Sequence, residues 1–276
     1  MRPPSPAAAG KDVAAAGTGG VTRPRRPGAR RRRASAQFPT PVDTSYTVAF
    51  VPASPTAAAA RPLPVTERGR RTRASIIDAA ATLMHQRGVS MTSLDDVLAA
   101  AGSGKSQLYH YFDSKAELVA AVIERQLQLV LAQQPSLHNI DSWDGIDAWA
   151  ADILRVHSAP GGPFACPLGT MAAELKNDET FRPLLDDAFR LWEAPLARGL
   201  QRMRDRGELV ADADPRRLAT AVIAALQGGM LLARVRGDIT PLRDALDSAI
   251  AQLHRWEAAV PPRRRARPPA AKQRAR

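Results

Sequence analysis

Between residues 72 and 257, apolar residues recur every three or four positions, as they do on the buried face of an α-helix. The first such stretch predicts a helix over 72–87 that ends at Gly88. The next predicts a short helix that Thr92 caps, with Asp95 three residues later as the acidic partner of the cap. Since no segment alternates apolar and polar residues as a half-buried strand does, the pattern predicts an all-α fold.

A third predicted helix, Lys105–Tyr111, follows a glycine-containing turn and has one side too polar to be buried. Leu108, Tyr111 and Phe112 lie on its core side. Two short helices joined by such a turn form a helix-turn-helix, whose second helix enters the major groove of DNA. The polar side offers donors, acceptors and an aromatic ring that suit phosphates and base edges, from Lys105, Ser106, Gln107, Tyr109 and His110.

The residues that flank these helices favour contacts with DNA phosphates. Ser114 and Glu117 have the spacing of a capping box, and the backbone N–H groups of that helix start, together with Lys115, predict a phosphate site. Arg71 and its neighbouring arginines concentrate positive charge beside the first helix. We therefore add Arg71, Thr92 and Lys115 to the predicted DNA-binding residues and expect a DNA-binding domain over 67–126.

The remaining apolar stretches predict a larger helical domain over 127–258. Pro195 lies inside one predicted helix and should kink it, and Asp214 and Thr240 each precede a proline at a predicted helix start. The last two helices carry small and apolar residues in excess, so we expect them to pair with a second copy of the chain, unless they only cover the domain's own core. The predicted helices are 141–158, a short one from Pro167, 180–206, 215–236 and 241–257.

Large apolar side chains from several of these helices are candidates for a pocket that binds a small apolar molecule, although core packing explains any one of them equally well. Cys166 precedes a predicted helix start, where the helix dipole can lower a thiol pKa and favour reaction with electrophiles or oxidants. The alternative is that Cys166 is a small buried side chain. The predicted ligand-binding residues are Trp149, Cys166, Met171, Phe189, Trp192 and Met230.

Positive charge is concentrated at the two ends of the 276-residue chain. Residues 1–66 carry ten Lys and Arg against two Asp and Glu, 257–276 carry seven against one, and 67–256 carry 22 against 24. We expect the Pro-, Ala- and Arg-rich segment 1–66 and the basic tail 259–276 to be disordered. An export signal and a run of 18 apolar residues are both missing from the sequence, so we expect no membrane partner.

Other classes of site are poorly supported. One cysteine excludes a disulfide within the chain and agrees with a cytoplasmic location. The histidines lack ligand spacing and no catalytic triad or carboxylate pair is recognisable, so we expect no metal, cofactor or enzyme activity. Residues 102–106 resemble the end of a phosphate-binding P-loop, but Ala99 stands where that loop needs its first glycine.

Residues 73–126 resemble the DNA-binding domain of the TetR/AcrR family of bacterial transcription regulators. Ser103-Gly104 departs from the family pattern of an apolar residue followed by a serine-like cap, so we expect a less tightly packed turn there. The resemblance rests on the amphipathic first helix, Gly88, Thr92-Ser93-Leu94, Ala100-Ala101-Gly102, Lys105, Leu108-Tyr109-His110-Tyr111-Phe112, Ser114-Lys115 and Leu118.

Residues 165–255 resemble the ligand domain of the LmrA/YxaF-type branch of that family, through Cys166-Pro-Leu-Gly, Ala172, Glu174-Leu175 and the segment 226–234. The resemblance implies a homodimer that binds double-stranded operator DNA and responds to a small-molecule effector, most simply as a repressor. An activator and a thiol-based sensor of the same fold stay open. An enzyme that uses the helical pocket and a nucleoid-type protein without sequence preference are the rivals from other classes.

Overall fold

The computed structural model describes residues 64–159 and 165–259. The two segments for which we expect disorder, 1–66 and 259–276, lie outside the described residues except for 64–66 and 259. Over the described ranges the chain is all-α, as predicted, and its only β-type pairing is an isolated antiparallel bridge between Leu209 and Glu257.

Four helices form the N-terminal helical bundle: α1 (Glu67–Arg87), α2 (Leu94–Ala101), α3 (Lys105–Tyr111) and the first half of α4 (Lys115–Ala132). α1 packs against the other three. The core of the bundle consists of apolar side chains that the three- and four-residue spacing predicted, among them the fully buried Ile76, Val97, Leu108, Phe112 and Leu118.

The cap of α2 differs from the prediction. Ser93, not Thr92, is the N-cap: its hydroxyl accepts from the Asp96 N–H at 3.1 Å, and the Asp96 carboxylate accepts from the Ser93 N–H at 3.1 Å. The side chain of Thr92 is buried and donates to the Gly88 carbonyl at 2.7 Å. Thr92 and Ser93 are each followed three positions later by an aspartate, so the capping pattern fits in two registers. Because the Thr92 hydroxyl bonds to the Gly88 carbonyl, Ser93 is left to cap the helix.

The C-terminal helices are α5 (Trp143–Ser158), α6 (Pro167–Leu175), α7 (Arg182–Asp205), α8 (Pro215–Arg236) and α9 (Thr240–His254). A 3-10 helix, Pro135–Asn139, precedes them and was not predicted. α7 continues through Pro195, and Asp214 caps α8 as predicted. Thr240 does not cap α9, because the helix already includes it and its hydroxyl bonds to Asp238 instead.

α4 connects the two groups of helices. It continues without a break past residue 126, the predicted domain boundary, and packs against α1 on one side and against α6 and α7 on the other. α4 therefore contributes to the packing of both groups of helices.

α8 is long and apolar enough to cross a membrane by length and composition alone, although Thr220 and Gln227 interrupt its apolar sequence. Its buried residues pack against α7 and α9, as those of a core helix do. At Gly229 the two last helices approach so closely that a Cβ atom would lie 2.9 Å from the Cα of Leu242. The apolar character of α8 thus serves packing between helices in this fold.

Candidate functional site

The outer face of α3 is polar and exposed, as predicted. Lys105, Ser106, Gln107, Tyr109 and His110 are all exposed, and 51% of the Tyr109 surface is accessible. Leu108 and Phe112 are buried beneath them and fix the helix to the bundle, while Tyr111 is half-buried. The His110 ring meets the ring of Tyr111 edge to face at 4.9 Å. The fold therefore presents a short row of donors and one aromatic ring to the outside.

Lys105 and Gln107 also bond to groups within the protein. The Lys105 ammonium lies 3.1 Å from a carboxylate oxygen of Asp95, and since both groups are exposed the pair contributes little stability and can exchange for a phosphate. The Gln107 side-chain oxygen accepts from the Gly104 N–H at 3.0 Å. Gly104 has no side chain with which to cap α3, so Gln107 satisfies this N–H group at the helix start.

The start of α4 is capped as predicted, with one difference. The Ser114 hydroxyl accepts from the Glu117 N–H at 3.2 Å, but the Glu117 carboxylate accepts from the N–H of Asp113, one residue before the cap. The Lys115 ammonium donates to the Val89 carbonyl at 2.7 Å, so in this structure it holds the turn between α1 and α2.

The arginines at the start of α1 are divided between two roles. Arg70 and Arg71 both bond to the Glu67 carboxylate at 2.8 Å, and these hydrogen bonds lower the pKa of Glu67. The Arg71 guanidinium stays largely exposed. The Arg73 guanidinium lies 5.3 Å from the centroid of the buried Phe112 ring and thus packs onto the bundle as a cation–π contact.

The predicted ligand-binding residues lie in the core of the C-terminal helices. Trp149, Cys166, Met171, Trp192 and Met230 are buried, and Phe189 is half-buried with its ring 6.1 Å from that of Trp192. Two cavities lie elsewhere, one of about 360 Å³ between α8 and α9 and one of about 1110 Å³ along α1 and α4. In this conformation the six residues form a packed core.

A buried glutamine at the centre of this core was missed by the sequence analysis. Gln134 follows α4, and its side-chain oxygen accepts from the indole N–H of Trp149 at 3.1 Å and from that of Trp192 at 3.3 Å. A polar residue next to a proline after a helix is typical of an exposed loop. Its burial is set by the two tryptophans, which lie 15 and 58 residues away in the sequence.

Cys166 is the N-cap of α6, as predicted, and its sulfur accepts from the Gly169 N–H at 3.4 Å. Of the two alternatives for this thiol, a lowered pKa is the one that the structure does not support. Burial raises the pKa, and the hydrogen bonds from Gln227, Gly169 and Leu168 oppose this effect only in part. The structure thus favours the alternative, a small buried side chain that caps a helix. Among the described residues, no group of three or more His, Cys, Asp or Glu is arranged to hold a metal ion.

A second contact that the sequence did not indicate joins α6 to the N-terminal helical bundle. The Glu174 carboxylate accepts from the Val89 N–H at 2.7 Å, from the Ser90 N–H at 2.7 Å and from the Ser90 hydroxyl at 2.6 Å. Burial acts to raise the pKa of Glu174, but these hydrogen bonds and the charge of Lys115 outweigh it and lower the pKa. The carboxylate is therefore ionised at neutral pH.

Known proteins match both groups of helices. Residues 76–122 match the family model of the bacterial regulatory proteins of the tetR family, and residues 143–248 match that of the C-terminal domain of LmrA/YxaF-like transcriptional regulators. An HTH-type transcriptional regulator from the lacX 3' region of Lactococcus lactis subsp. lactis is 32% identical over 184 residues, which are 64% of this chain and 91% of that protein.

A more distant relative and a solved structure match similar shares of the chain. The HTH-type transcriptional regulator YxaF of Bacillus subtilis (strain 168) is 27% identical over 182 residues, 64% of this chain and 92% of that protein. The crystal structure of reduced E. coli NemR superposes with a TM-score of 0.59 at 26% identity, over 68% of this chain and 98% of that chain. The arrangement of both groups of helices is thus similar to that of bacterial transcription regulators.

Proposed function

The chain belongs to the TetR family of bacterial transcription regulators, and from that premise we propose that it is a homodimeric repressor released from its operator by a small apolar molecule. The observation that carries this proposal is the exposed polar face of α3, fixed to the bundle by buried Leu108 and Phe112. A short row of donors, acceptors and an aromatic ring on such a face suits the base edges and phosphates of the major groove of DNA.

The proposed DNA surface consists of the α3 face, Arg71 and the start of α4. Tyr109 supports a contact with a thymine methyl group or with the backbone, and the exposed guanidinium of Arg71 a contact with a phosphate. Lys115 joins this surface if its ammonium moves from the Val89 carbonyl to a phosphate. We leave Thr92 out of the surface because its side chain is buried and bonded to Gly88.

The proposed dimer forms through α8 and α9. One side of α8 exposes large apolar residues, with Leu231 63% and Val235 76% accessible, and this side continues through Ala221 and Gly228. The adjoining cavity between α8 and α9 is lined almost entirely by apolar and small residues. An exposed apolar face of this kind supports pairing with a second copy of the chain. Two recognition helices then meet successive turns of DNA when they lie roughly 34–36 Å apart.

The proposed effector site is the core around Gln134, Trp149 and Trp192. Because this core is packed, an apolar molecule has to displace side chains in order to enter, and adaptable residues such as Met171 and Met230 make that possible. To shift the population from mostly DNA-bound to mostly released, the effector needs on the order of 10⁴-fold preference for the released arrangement, about 5.5 kcal/mol. An activator built on the same surfaces is the second candidate; the buried thiol gives the sensor variant less support.

We assign the protein no catalytic activity and place its action in the cytoplasm, where its operator is. The experiment that tests the proposal is selection of sheared genomic DNA by the full-length protein, followed by footprinting and competition with random DNA. A regulator protects a short palindromic site that survives competitor and salt. Uniform protection that competitor DNA abolishes would instead identify a nucleoid-type protein.

A further inference from the structure

The turn between α1 and α2 (Gly88–Met91, here the hinge turn) is held from two sides by groups from other helices. The Val89 N–H donates to Glu174 on α6, and the carbonyl of the same residue accepts from Lys115 at the start of α4. Each of these bonds is 2.7 Å long and involves a charged group. Charge-assisted hydrogen bonds of this length are roughly twice as strong as neutral ones.

The hinge turn is shaped for this contact. Gly88 has a φ of +91°, a conformation that residues with side chains rarely adopt, and a Cβ atom there would lie 3.0 Å from a carboxylate oxygen of Glu174. The next two N–H groups, those of Val89 and Ser90, point at the two oxygens of one carboxylate. The backbone therefore forms a small anion-binding nest that the Glu174 carboxylate occupies.

The position of α2 follows from the hinge turn. Thr92 bonds back to Gly88, and Ser93 caps α2 directly after it. α2 is joined to the recognition helix by the short turn 102–104, in which the Ser103 N–H donates to the Leu98 carbonyl at 3.1 Å. A displacement of the hinge turn is thus transmitted to the residues that face DNA.

The buried stripe of α6, next to Glu174 on the helix surface, belongs to the effector domain. Leu168, Met171 and Leu175 are buried in the core of the C-terminal helices, and Met171 lies one helical turn before Glu174. A helix of nine residues moves as one body. A rearrangement of the core that displaces α6 at Met171 therefore also displaces the Glu174 carboxylate relative to Val89 and Ser90.

We propose that Glu174 is a positioning residue for DNA binding, whose bonds to Val89 and Ser90 transmit the state of the C-terminal core to the recognition helix. This inference rests on the proposed function, because it presumes that the protein binds an operator. Coupling between two sites is reciprocal. DNA binding must therefore alter α6 through the same contact, which allows a test that needs no effector.

The test uses full-length protein and the DNA fragment that it enriches from sheared genomic DNA. Backbone hydrogen exchange of residues 88–90 and 167–175 is measured with and without saturating fragment. In the wild type, we expect DNA to slow exchange in both segments. In Glu174→Gln the NH₂ of the amide replaces one carboxylate oxygen and faces a backbone N–H, and two donors cannot bond to each other. We therefore expect the affinity for the fragment to fall about tenfold and the hydrogen exchange of α6 to become insensitive to DNA.

The matched control is Glu179→Gln, which neutralises an exposed carboxylate in the turn after α6 and should leave affinity and exchange unchanged. Should Glu174→Gln fail to fold, Ser90→Ala removes one of the three bonds from the opposite side. The exchange of α6 decides the outcome. If it responds to DNA in Glu174→Gln as in the wild type, or does not respond in the wild type, the inference is wrong; failure of the wild type to enrich any fragment refutes the proposed function instead.

Discussion

The indole N–H of Trp149 and the side-chain oxygen of Gln134 lie 3.1 Å apart, and the same oxygen also accepts a bond from Trp192. One amide thus satisfies two buried indole groups contributed by α5 and α7. Since all three side chains are buried, water cannot replace the oxygen without a rearrangement of the core. Gln134 therefore ties the end of α4 to the proposed effector site.

The first prediction concerns this amide. Gln134→Leu leaves two buried N–H groups without an acceptor, so we expect the free energy of unfolding to fall by about 2–4 kcal/mol in urea titrations. Gln133→Leu changes the preceding residue, which is exposed, and is expected to stay within about 0.5 kcal/mol of the wild type. Equal stability of the two variants would show that the indole groups find other acceptors.

The sequence predicted the helices well because the buried stripe of each helix is a local signal. α3 was predicted with the bounds that the structure shows, and its exposed face follows from Leu108 and Phe112 alone. The hydrogen bonds of Gln134 and Glu174 could not be predicted, because both depend on residues far away in the sequence. The prediction of the α2 cap was wrong for a different reason. The hydroxyls of Thr92 and Ser93 fit the same pattern, and only the hydrogen bond of Thr92 to Gly88 decides between them.

A second prediction tests the recognition face. Tyr109→Ala should weaken binding of the enriched DNA fragment about tenfold, roughly 1.4 kcal/mol, without changing the unfolding transition, because the ring is half-exposed. Tyr109→Phe separates the two possible contacts. It keeps wild-type affinity if the ring packs on a thymine methyl group and loses affinity if the hydroxyl bonds to a phosphate. Full affinity of Tyr109→Ala would rule out the assigned face.

A third prediction resolves the two possible roles of Lys115. If its ammonium leaves the Val89 carbonyl to bind a phosphate, Lys115→Ala should flatten the slope of log K against log salt by about one unit. If it only holds the hinge turn, affinity falls with the slope unchanged. Lys176→Ala is the control, because that ammonium also donates to a backbone carbonyl, at 2.6 Å from Ala173, but lies at the end of α6.

The fourth prediction addresses the dimer. We expect the double variant Leu231→Asp, Val235→Asp to sediment as a monomer at micromolar concentration, because dimerisation would bury both carboxylates in an apolar interface. Val65→Asp changes another exposed apolar residue, far from α8 in sequence, and should remain dimeric. A dimeric double variant would place the interface on another surface of the molecule.

The fifth prediction concerns the thiol of Cys166, the only cysteine in the chain. Burial raises its pKa, so the thiolate is scarcer in the folded protein than in the unfolded chain at the same pH. We expect iodoacetamide to label the native protein far more slowly than the urea-unfolded chain at pH 7, with a rate that rises only above the ordinary thiol pKa of about 8.5.

Because folding raises this pKa, the thiol's contribution to stability is full below the unfolded pKa and declines as pH rises through the folded one, a decline that Cys166→Ala should abolish. Cys166→Ser keeps a cap for the Gly169 N–H, so it separates loss of the cap from loss of the thiol. Rapid labelling at pH 7, together with oxidant that releases the wild type but not Cys166→Ala from DNA, would restore the thiol-sensor hypothesis.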